Sequence, residues 1–169
     1  PVSVRGIRIG IMLCEDMWFE EVAEALSESG AQILVVMNGS PYEIDKDNSR
    51  LNFAVARVQE TGLPLIYVNQ VGGQDELVFD GGSFVVGSDG HIIHQASQFI
   101  EEVFSFDIDL EIKNINSKNK LMINEKISDI PKIKSTEPLE ELESMYSALK
   151  LGLSDYVEKN NFEKVLVGI

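Results

Sequence analysis

Apolar residues occur in the first 70 positions as three nearly continuous runs, each followed by a polar segment that favours a turn. The runs lie at 7–13, 32–37 and 63–69. Between them, apolar residues recur at three- and four-residue intervals over 18–29 and 47–61, and a glycine follows each of these segments. The pattern predicts three buried strands joined by two amphipathic helices. Such strand–helix–strand connections favour a mostly parallel sheet, so we predict an α/β fold.

After position 80 the apolar runs are shorter and no helical pattern separates them. They lie at 81–87, 91–95 and 101–108, and Ser88-Asp89-Gly90 is typical of a hairpin turn. We therefore expect antiparallel strands that extend the same sheet. The segment 111–138 is polar and rich in lysine, asparagine and serine, which predicts a linker.

A third helical pattern begins near Leu139. Its apolar stripe consists of Leu142, Met145, Leu149 and Leu153. We expect this helix to end at Asn160-Asn161 and a strand to begin at Lys164. Together they resemble the first elements of another α/β domain.

The ends of the sequence also bear on its organisation. The chain starts at Pro1 without a methionine, only a few residues before a core-type strand, and closes on a strand-like run at 164–169. We expect a piece of a longer protein, and the alternative is a compact domain that ends on a strand. The predicted divisions are an α/β domain at 1–110, a linker at 111–138 and the start of a second domain at 139–169.

Charge and cysteine content narrow the function. With 28 acidic and 14 basic residues the formal net charge is −14, which argues against a nucleic-acid or anionic-membrane surface. A single cysteine cannot form an internal disulfide, so we expect a reducing, cytoplasmic setting. The sequence contains neither a signal-peptide pattern nor an apolar stretch near the roughly 18 residues of a spanning helix.

That cysteine lies at the end of the first predicted strand. Cys14 is followed by Glu15-Asp16 and then by the first helical pattern. A thiol on a sharp strand-to-helix turn faces helix N–H groups that favour the thiolate, which is how a nucleophilic cysteine is often presented. An inert, buried structural cysteine is equally compatible with the position alone.

Polar segments follow all three predicted parallel strands, at 14–16, 38–42 and 69–73. Ligands of parallel α/β sheets bind outside the carboxyl ends of the strands, so these segments should share one cleft. A thiol, a serine hydroxyl with loop amides, and carboxamides would meet there. That set suits acyl transfer from an amide.

The sequence does not identify a base for this thiol. His91 and His94 lie in a hairpin-like segment far from the three loop ends, which disfavours both a Cys–His pair and a zinc site. There is no glycine-rich phosphate loop, and Gly72-Gly73 fits a turn better. The base is therefore a carboxylate such as Glu15, or it lies outside this chain.

The segment Cys14-Glu15-Asp16-Met17-Trp18 resembles the nucleophile segment of the nitrilase superfamily, and more narrowly the glutaminase domain of glutamine-dependent NAD synthetases. The resemblance covers about residues 4–110. It continues at 38–42, Arg50, 68–75 and 78–83. The tail is a second match, because 146–157, 160–162 and 165–168 resemble the entry to the synthetase domain of that family.

This resemblance implies an α-β-β-α sandwich and a Glu–Lys–Cys triad. Only the nucleophile maps onto this sequence, as Cys14, while the Glu and Lys would precede Pro1. The residue after the nucleophile, here Glu15, would supply a backbone N–H near the oxyanion. Ser40 and Lys46 resemble the family's contacts to bound glutamine.

The implied reaction is attack on the glutamine carboxamide, a glutamyl thioester and release of ammonia. Ammonia would then amidate a deamido-NAD adenylate that a second domain makes with ATP and magnesium, whereas the glutaminase part needs no cofactor. The ATP-pyrophosphate loop would begin just beyond Gly168-Ile169, and the resemblance also implies a homo-oligomer.

Two other functions stay open at this point. One is a different nitrilase-type amidase or carbamoylase, which the tail after residue 139 argues against. The other is a non-catalytic α/β binding module with a structural Cys14, which a profile of thiol reactivity against pH would distinguish.

Two further residues have more than one interpretation. Trp18 is either a packing residue or a pocket wall. Arg50 is either a solvated helix residue or, as we favour, part of a structural ion pair with Glu15 or Asp16. Tyr67 and Phe84 are expected in the core.

Overall fold

The computed structural model describes residues 1–44, 46–108, 110 and 134–168, and for Lys46 and Asp47 only the backbone. The strands are β1 (Val2–Val4), β2 (Ile7–Leu13), β3 (Ile33–Asn38), β4 (Leu65–Asn69), β5 (Val71–Gln74), β6 (Leu77–Asp80), β7 (Phe84–Val86) and β8 (Ile92–Gln95). The helices are α1 (Glu20–Glu28), α2 (Lys46–Thr61) and α3 (Glu141–Lys159), and a 3₁₀ helix spans Cys14–Trp18.

Six strands form one sheet in the order β1-β2-β3-β4-β7-β8. Strands β2, β3 and β4 are parallel to one another, and each remaining pair is antiparallel. The predicted α/β class, with a parallel centre extended by antiparallel strands, is confirmed. Because β2, β3 and β4 run in the same direction, their carboxyl ends meet at one edge of the sheet.

The two faces of this sheet differ in burial. Helices α1 and α2 cover one face, where Met12, Leu34, Val36 and Leu65 are completely buried. Residues that point to the other face are between 41% and 59% exposed: Ile11, Leu13, Met37 and Val68. The apolar runs therefore form strands that are buried on one face and leave apolar side chains at the surface of the other.

Helix α3 packs on the β5–β6 hairpin through small residues rather than through its leucine stripe. Ser144, Ala148 and Gly152 share the packed face, and a Cβ added to Gly73 would lie 3.0 Å from the Cα of Gly152. Asp155 accepts a hydrogen bond of 2.6 Å from the N–H of Gly73. The predicted stripe is mainly solvent-facing, with 80%, 73% and 65% exposure for Leu142, Leu149 and Leu153. The helix was predicted correctly, but the face that packs was not.

The outer edge of β8 is covered by the residues that lead into α3. The N–H of Gln95 donates to the hydroxyl of Ser135 at 2.9 Å, and the N–H of Thr136 donates to the carbonyl of Gln95 at 2.9 Å. Leu139 is fixed nearby, since its N–H donates to the Gln98 side chain. The end of the predicted linker thus satisfies backbone groups that an edge strand would otherwise expose. Residues 111–133 of that linker lie outside the described residues.

Two predicted strands are wrong. The segment 101–108 has no regular structure, because Ser135 and Thr136 occupy the edge of β8 where it would pair. It packs through side chains instead, with the ring of Phe104 stacked 4.1 Å from that of His94. The residues 164–168 are also irregular, and Val165, Leu166 and Val167 are more than half exposed.

None of the helices in the described part of the chain is long and apolar enough to cross a membrane.

Candidate functional site

The backbone turns sharply at Cys14. This residue follows β2 directly and has a φ of 47°, the left-handed region that a non-glycine residue seldom occupies. The carboxylate of Asp16 accepts a hydrogen bond of 2.8 Å from the N–H of Leu13 and stabilises the turn. A strained backbone that the surroundings hold in place is a common property of functional sites. The predicted sharp turn is therefore present, and a 3₁₀ helix rather than an α-helix follows it.

Helix α2 holds this turn in position. The guanidinium of Arg57 donates to the carbonyl of Met17 at 3.2 Å, and the Met17 side chain is 1% exposed. The ring of Trp18 stacks on that of Phe53 with centroids 5.9 Å apart. Trp18 also lines the pocket beside Cys14, so it serves both functions that the sequence left open.

The loop after β3 is joined to the end of β4 by a reciprocal pair of hydrogen bonds. The N–H of Ser40 donates to the side-chain oxygen of Asn69 at 2.9 Å, and the Asn69 amide donates to the carbonyl of Ser40 at 3.1 Å. Both residues are buried. These two loop ends therefore meet as the parallel topology predicts.

Arg50 forms a buried, two-pronged ion pair with Asp80. The two N–H···O distances are 2.8 and 3.0 Å, and the Asp80 side chain is completely buried. The same guanidinium donates to the hydroxyl of Ser40 at 3.2 Å and to the carbonyls of Ser40 and Pro41, each at 2.9 Å. The expected structural ion pair exists, but its partner is Asp80 rather than Glu15 or Asp16. The pair fixes the backbone and side chain of Ser40 together.

A small pocket of about 40 Å³ opens beside Cys14. Its walls include Cys14, Trp18, Asn38, Ser40, Arg50 and Tyr67. Burial raises the pKa of the Tyr67 phenol above its ordinary value, although the Arg50 charge and a hydrogen bond with the Ser40 side chain act in the opposite direction. Tyr67 and Phe84 are buried, as predicted, with rings stacked 4.6 Å apart.

The structure brings together some of the predicted residues and not others. Cys14 and Ser40 line the same pocket. Lys46 is the first residue of α2, and its side chain lies outside the described residues. From the third segment Asn69 bonds Ser40, and the N–H of Gln70 donates to the carbonyl of Asn38 at 3.2 Å. Gly72 and Gly73 belong to β5 and face α3 instead.

The two histidines and the acidic residues after Cys14 take other positions. His94 is buried on β8 against Phe104, and His91 lies next to the β7–β8 turn. Glu15 is exposed, and Asp16 is engaged in the turn.

Sequence reasoning gave no role to Asp80. The only signal was an acidic residue that ends an apolar run and precedes two glycines. Gly81 has a φ of 69°, and a Cβ there would lie 2.5 Å from the Val71 side chain. The glycines therefore form a tight turn directly after the carboxylate that pairs with Arg50.

Comparison with known proteins shows the family. The profile of the carbon-nitrogen hydrolases matches residues 1–112. The chain belongs to the carbon-nitrogen hydrolase family. Its sheet and helices accordingly correspond to part of the α-β-β-α sandwich of nitrilase-type folds.

Curated relatives and a solved structure extend the similarity through the tail. The chain is 38% identical over 169 residues to a glutamine-dependent NAD(+) synthetase of Rhodobacter capsulatus. The aligned region covers all of this chain and 28% of that protein. It is 35% identical to the protein of the same name from Aquifex aeolicus, over 99% of this chain and 33% of that protein.

The solved structure is a glutamine-dependent NAD+ synthetase from Acinetobacter baumannii in complex with ADP. It matches with a TM-score of 0.75 and 32% identity, over 96% of this chain and 28% of that one. The resemblance to these synthetases is confirmed, and the chain spans about a third or less of the length of the proteins that it matches.

Proposed function

We propose that this chain is part of a glutamine-dependent NAD synthetase and carries the nucleophile of its glutaminase site. The observation that carries the proposal is the position of Cys14, held at a left-handed turn beside a pocket that Ser40 and Tyr67 also line. The similarity to synthetases over the whole chain, including α3, favours this function over another nitrilase-type amidase.

The proposed chemistry begins with the Cys14 thiolate. Its sulfur forms a bond to the carboxamide carbon of glutamine, the carbon–nitrogen bond breaks, and the nitrogen leaves as ammonia after it takes a proton from a general acid. Water then cleaves the thioester, releases glutamate and restores the thiol. The backbone N–H of Glu15 stabilises the oxyanion. The general base and the lysine of the triad come from outside this chain.

Ser40 and Lys46 bind the glutamine in this proposal. The charge of Arg50 is balanced by Asp80, so this arginine supports the loop and does not hold the substrate carboxylate. Lys46 is the first residue of α2, directly after the loop that carries Ser40, and in this proposal its charge pairs with the substrate carboxylate.

Ammonia passes on to a deamido-NAD adenylate, formed with ATP and Mg²⁺ in a second domain. No residue of this chain is proposed to hold ATP or the metal. The same proposal divides the chain into a glutaminase part at 1–110, a linker at 111–138 and the start of the synthetase domain at 139–169.

The full-length protein that carries this chain tests the function directly. It should form NAD with either glutamine or ammonia as nitrogen source and should release ammonia from glutamine. If the protein formed NAD with ammonia but not with glutamine, the glutaminase assignment would be wrong and the synthetase assignment would remain.

The replacement Lys46→Ala should raise the KM for glutamine more than it lowers kcat. A cation that binds the substrate equally in the ground state and the transition state affects KM alone. Steady-state ammonia release measures both constants. Lys134→Ala, which removes a lysine outside the pocket, is the control. An unchanged KM in a folded Lys46→Ala protein would place Lys46 at a solvated surface instead.

The 169-residue chain alone should hydrolyse no glutamine and form no NAD from ammonia, because it lacks the triad's base and lysine. It should also self-associate. We attribute self-association to the apolar face of the sheet that the helices leave uncovered, where Leu13 is 59% exposed. The edge of β8 is not the cause, because Ser135 covers it.

Ammonia release and light scattering on the purified chain measure these two properties. Turnover that depends on Cys14 would show that a base exists within residues 1–169. A stable monomer would contradict only the self-association.

A further inference from the structure

The side-chain amide of Asn38 joins the ends of two parallel strands. Its nitrogen donates to the carbonyl of Val36 on β3 at 3.0 Å and to the carbonyl of Val68 on β4 at 3.2 Å. An asparagine amide has two N–H donors, and its oxygen cannot donate to a carbonyl. The two bonds therefore use both donors and determine which end of the amide is the nitrogen.

The oxygen of this amide remains as an acceptor. Within the part of the chain that the structure describes, no donor bonds to it. In the same part of the chain, the buried side-chain polar atom without a partner is Nε2 of His94, so the Asn38 oxygen is accessible rather than sealed. Asn38 thus presents an acceptor and no free donor.

The accessible oxygen lies on the side of the sheet where the Cys14 pocket opens. Side chains alternate along β3, so Asn38 shares the helix-covered face with Val36, whereas Met37 points to the other face. The pocket lies on that helix-covered face, because Arg50 and Phe53 of α2 form one of its walls. Asn38 lines the pocket together with Cys14.

The register of the sheet places Asn38 beside Cys14. Leu13 on β2 pairs with Met37 on β3, so the next residues, Cys14 and Asn38, follow at neighbouring strand ends. The pocket of about 40 Å³ has room for about three water molecules, which is the size of one carboxamide group. A carboxamide carbon must come within about 3–3.5 Å of the Cys14 sulfur to react, and its nitrogen then lies in this small pocket.

We propose that Asn38 is a specificity-determining residue of this site, which accepts a hydrogen bond from the N–H of the scissile carboxamide. The inference rests on the proposed glutaminase function and adds a reason for the preference of the site for amides. An ester has no N–H to donate. The carboxylate of the product glutamate has only acceptors, so it meets the Asn38 oxygen without a hydrogen bond.

A comparison of two substrates in the full-length protein tests this role. Glutamine and the γ-methyl ester of glutamic acid share every group except the one that leaves. With the ester, the Cys14 sulfur bonds to the same carbon, the carbon–oxygen bond breaks, and methanol leaves after it takes a proton from the general acid; water then releases glutamate. Release of ammonia and of methanol measures kcat/KM for each substrate, and thermal unfolding verifies that each variant folds.

The variant is Asn38→Ala, and Asn160→Ala is its matched control. The amide of Asn160 also donates to a backbone carbonyl, that of Tyr156 at 2.8 Å, but it lies at the end of α3 outside the pocket. Asn38→Ser is a second variant, because its hydroxyl keeps one donor for the strand carbonyls while the shorter side chain withdraws the acceptor. It provides the same comparison if the alanine protein does not fold.

We expect Asn38→Ala to lower kcat/KM for glutamine about three- to tenfold, the usual range for one hydrogen bond, and to leave that for the ester nearly unchanged. Asn160→Ala should change neither. In the unmodified protein, the glutamate concentration that halves the rate of Cys14 alkylation by iodoacetamide should exceed the corresponding glutamine concentration at least about tenfold.

An equal fall for both substrates in a folded Asn38→Ala protein would overturn the assignment. That result is expected if Asn38 only joins β3 to β4, or if it contacts the α-amino group that both substrates share. Unchanged hydrolysis of both substrates, or equal protection of Cys14 by glutamate and glutamine, would overturn it as well. Failure of the proposed function looks different, because the unmodified protein would then hydrolyse neither substrate, and the Asn38 assignment would fall with it.

Discussion

Replacing Cys14 with alanine should lower glutamine-driven NAD formation in the full-length protein by more than about a thousandfold, as expected when a covalent nucleophile is removed. Ammonia-driven NAD formation should stay close to its original rate, because free ammonia bypasses the thioester. The alanine cannot form the sulfur–carbon bond, but it keeps a Cβ and leaves the turn geometry unchanged. Parallel assays measure the rate of NAD formation with glutamine and with ammonia, and the ratio of the two rates tests the prediction.

The control for this experiment is Ser29→Ala, which removes a small polar group at the end of α1, outside the pocket. It should leave both activities unchanged. Loss of both activities in Cys14→Ala would indicate that the turn at Cys14 is needed for folding. Retention of both would make Cys14 a structural cysteine, the alternative that its position alone left open.

The replacement Asp80→Ala should have the largest effect on stability, about 3–5 kcal/mol, because it leaves the buried Arg50 without its counter-charge. The Asp80 side chain is completely buried, so water cannot substitute for the lost carboxylate. Arg50 also holds the Ser40 loop, and glutamine binding should therefore weaken with the fold. Hydrogen exchange of peptides that contain Ser40 and Asp80 measures the free energy of local opening.

An exposed ion pair provides the comparison. Lys159 lies 3.6 Å from Asp155, its side chain is 54% exposed, and it also donates to the carbonyl of Gly73, so Lys159→Ala should cost about 1–2 kcal/mol, less than Asp80→Ala. If Asp80→Ala costs as little as Lys159→Ala, the Arg50–Asp80 pair does not hold the loop, and Ser40 is positioned by Asn69 alone.

The central part of the fold could be predicted because its sequence signals are local. Strands β2, β3 and β4 are continuous apolar runs, and helices α1 and α2 between them have clear periodicity. Hairpin β5–β6 was missed because Val71-Gly72-Gly73 reads as a turn, whereas its glycines allow α3 to approach closely. The leucine stripe of α3 predicts the wrong packed face, because the small residues that do pack do not stand out in a hydrophobic pattern. These residues are Ser144, Ala148 and Gly152.

The candidate site could be predicted only as far as topology determines it. Parallel strands place Cys14, Ser40 and Asn69 at one edge of the sheet, and the structure has them there. The partner of Arg50 could not be predicted, because Asp80 lies 30 positions away and several acidic residues are nearer in sequence. Strand periodicity identifies Tyr67 as buried, but it carries no information on where a phenol oxygen points.

The bonds between Gln95 and the Ser135–Thr136 segment have a consequence for the order in which the chain folds. During synthesis β8 leaves the ribosome about 40 residues before the segment that covers its edge, at roughly 5–20 residues per second. For several seconds the nascent sheet ends in an unprotected strand that another nascent chain could join. A chain shortened to the family match at residue 112 would keep that open edge permanently. Covering it is thus a task that the tail performs for the nitrilase-type sheet, separate from any part it takes in amidation.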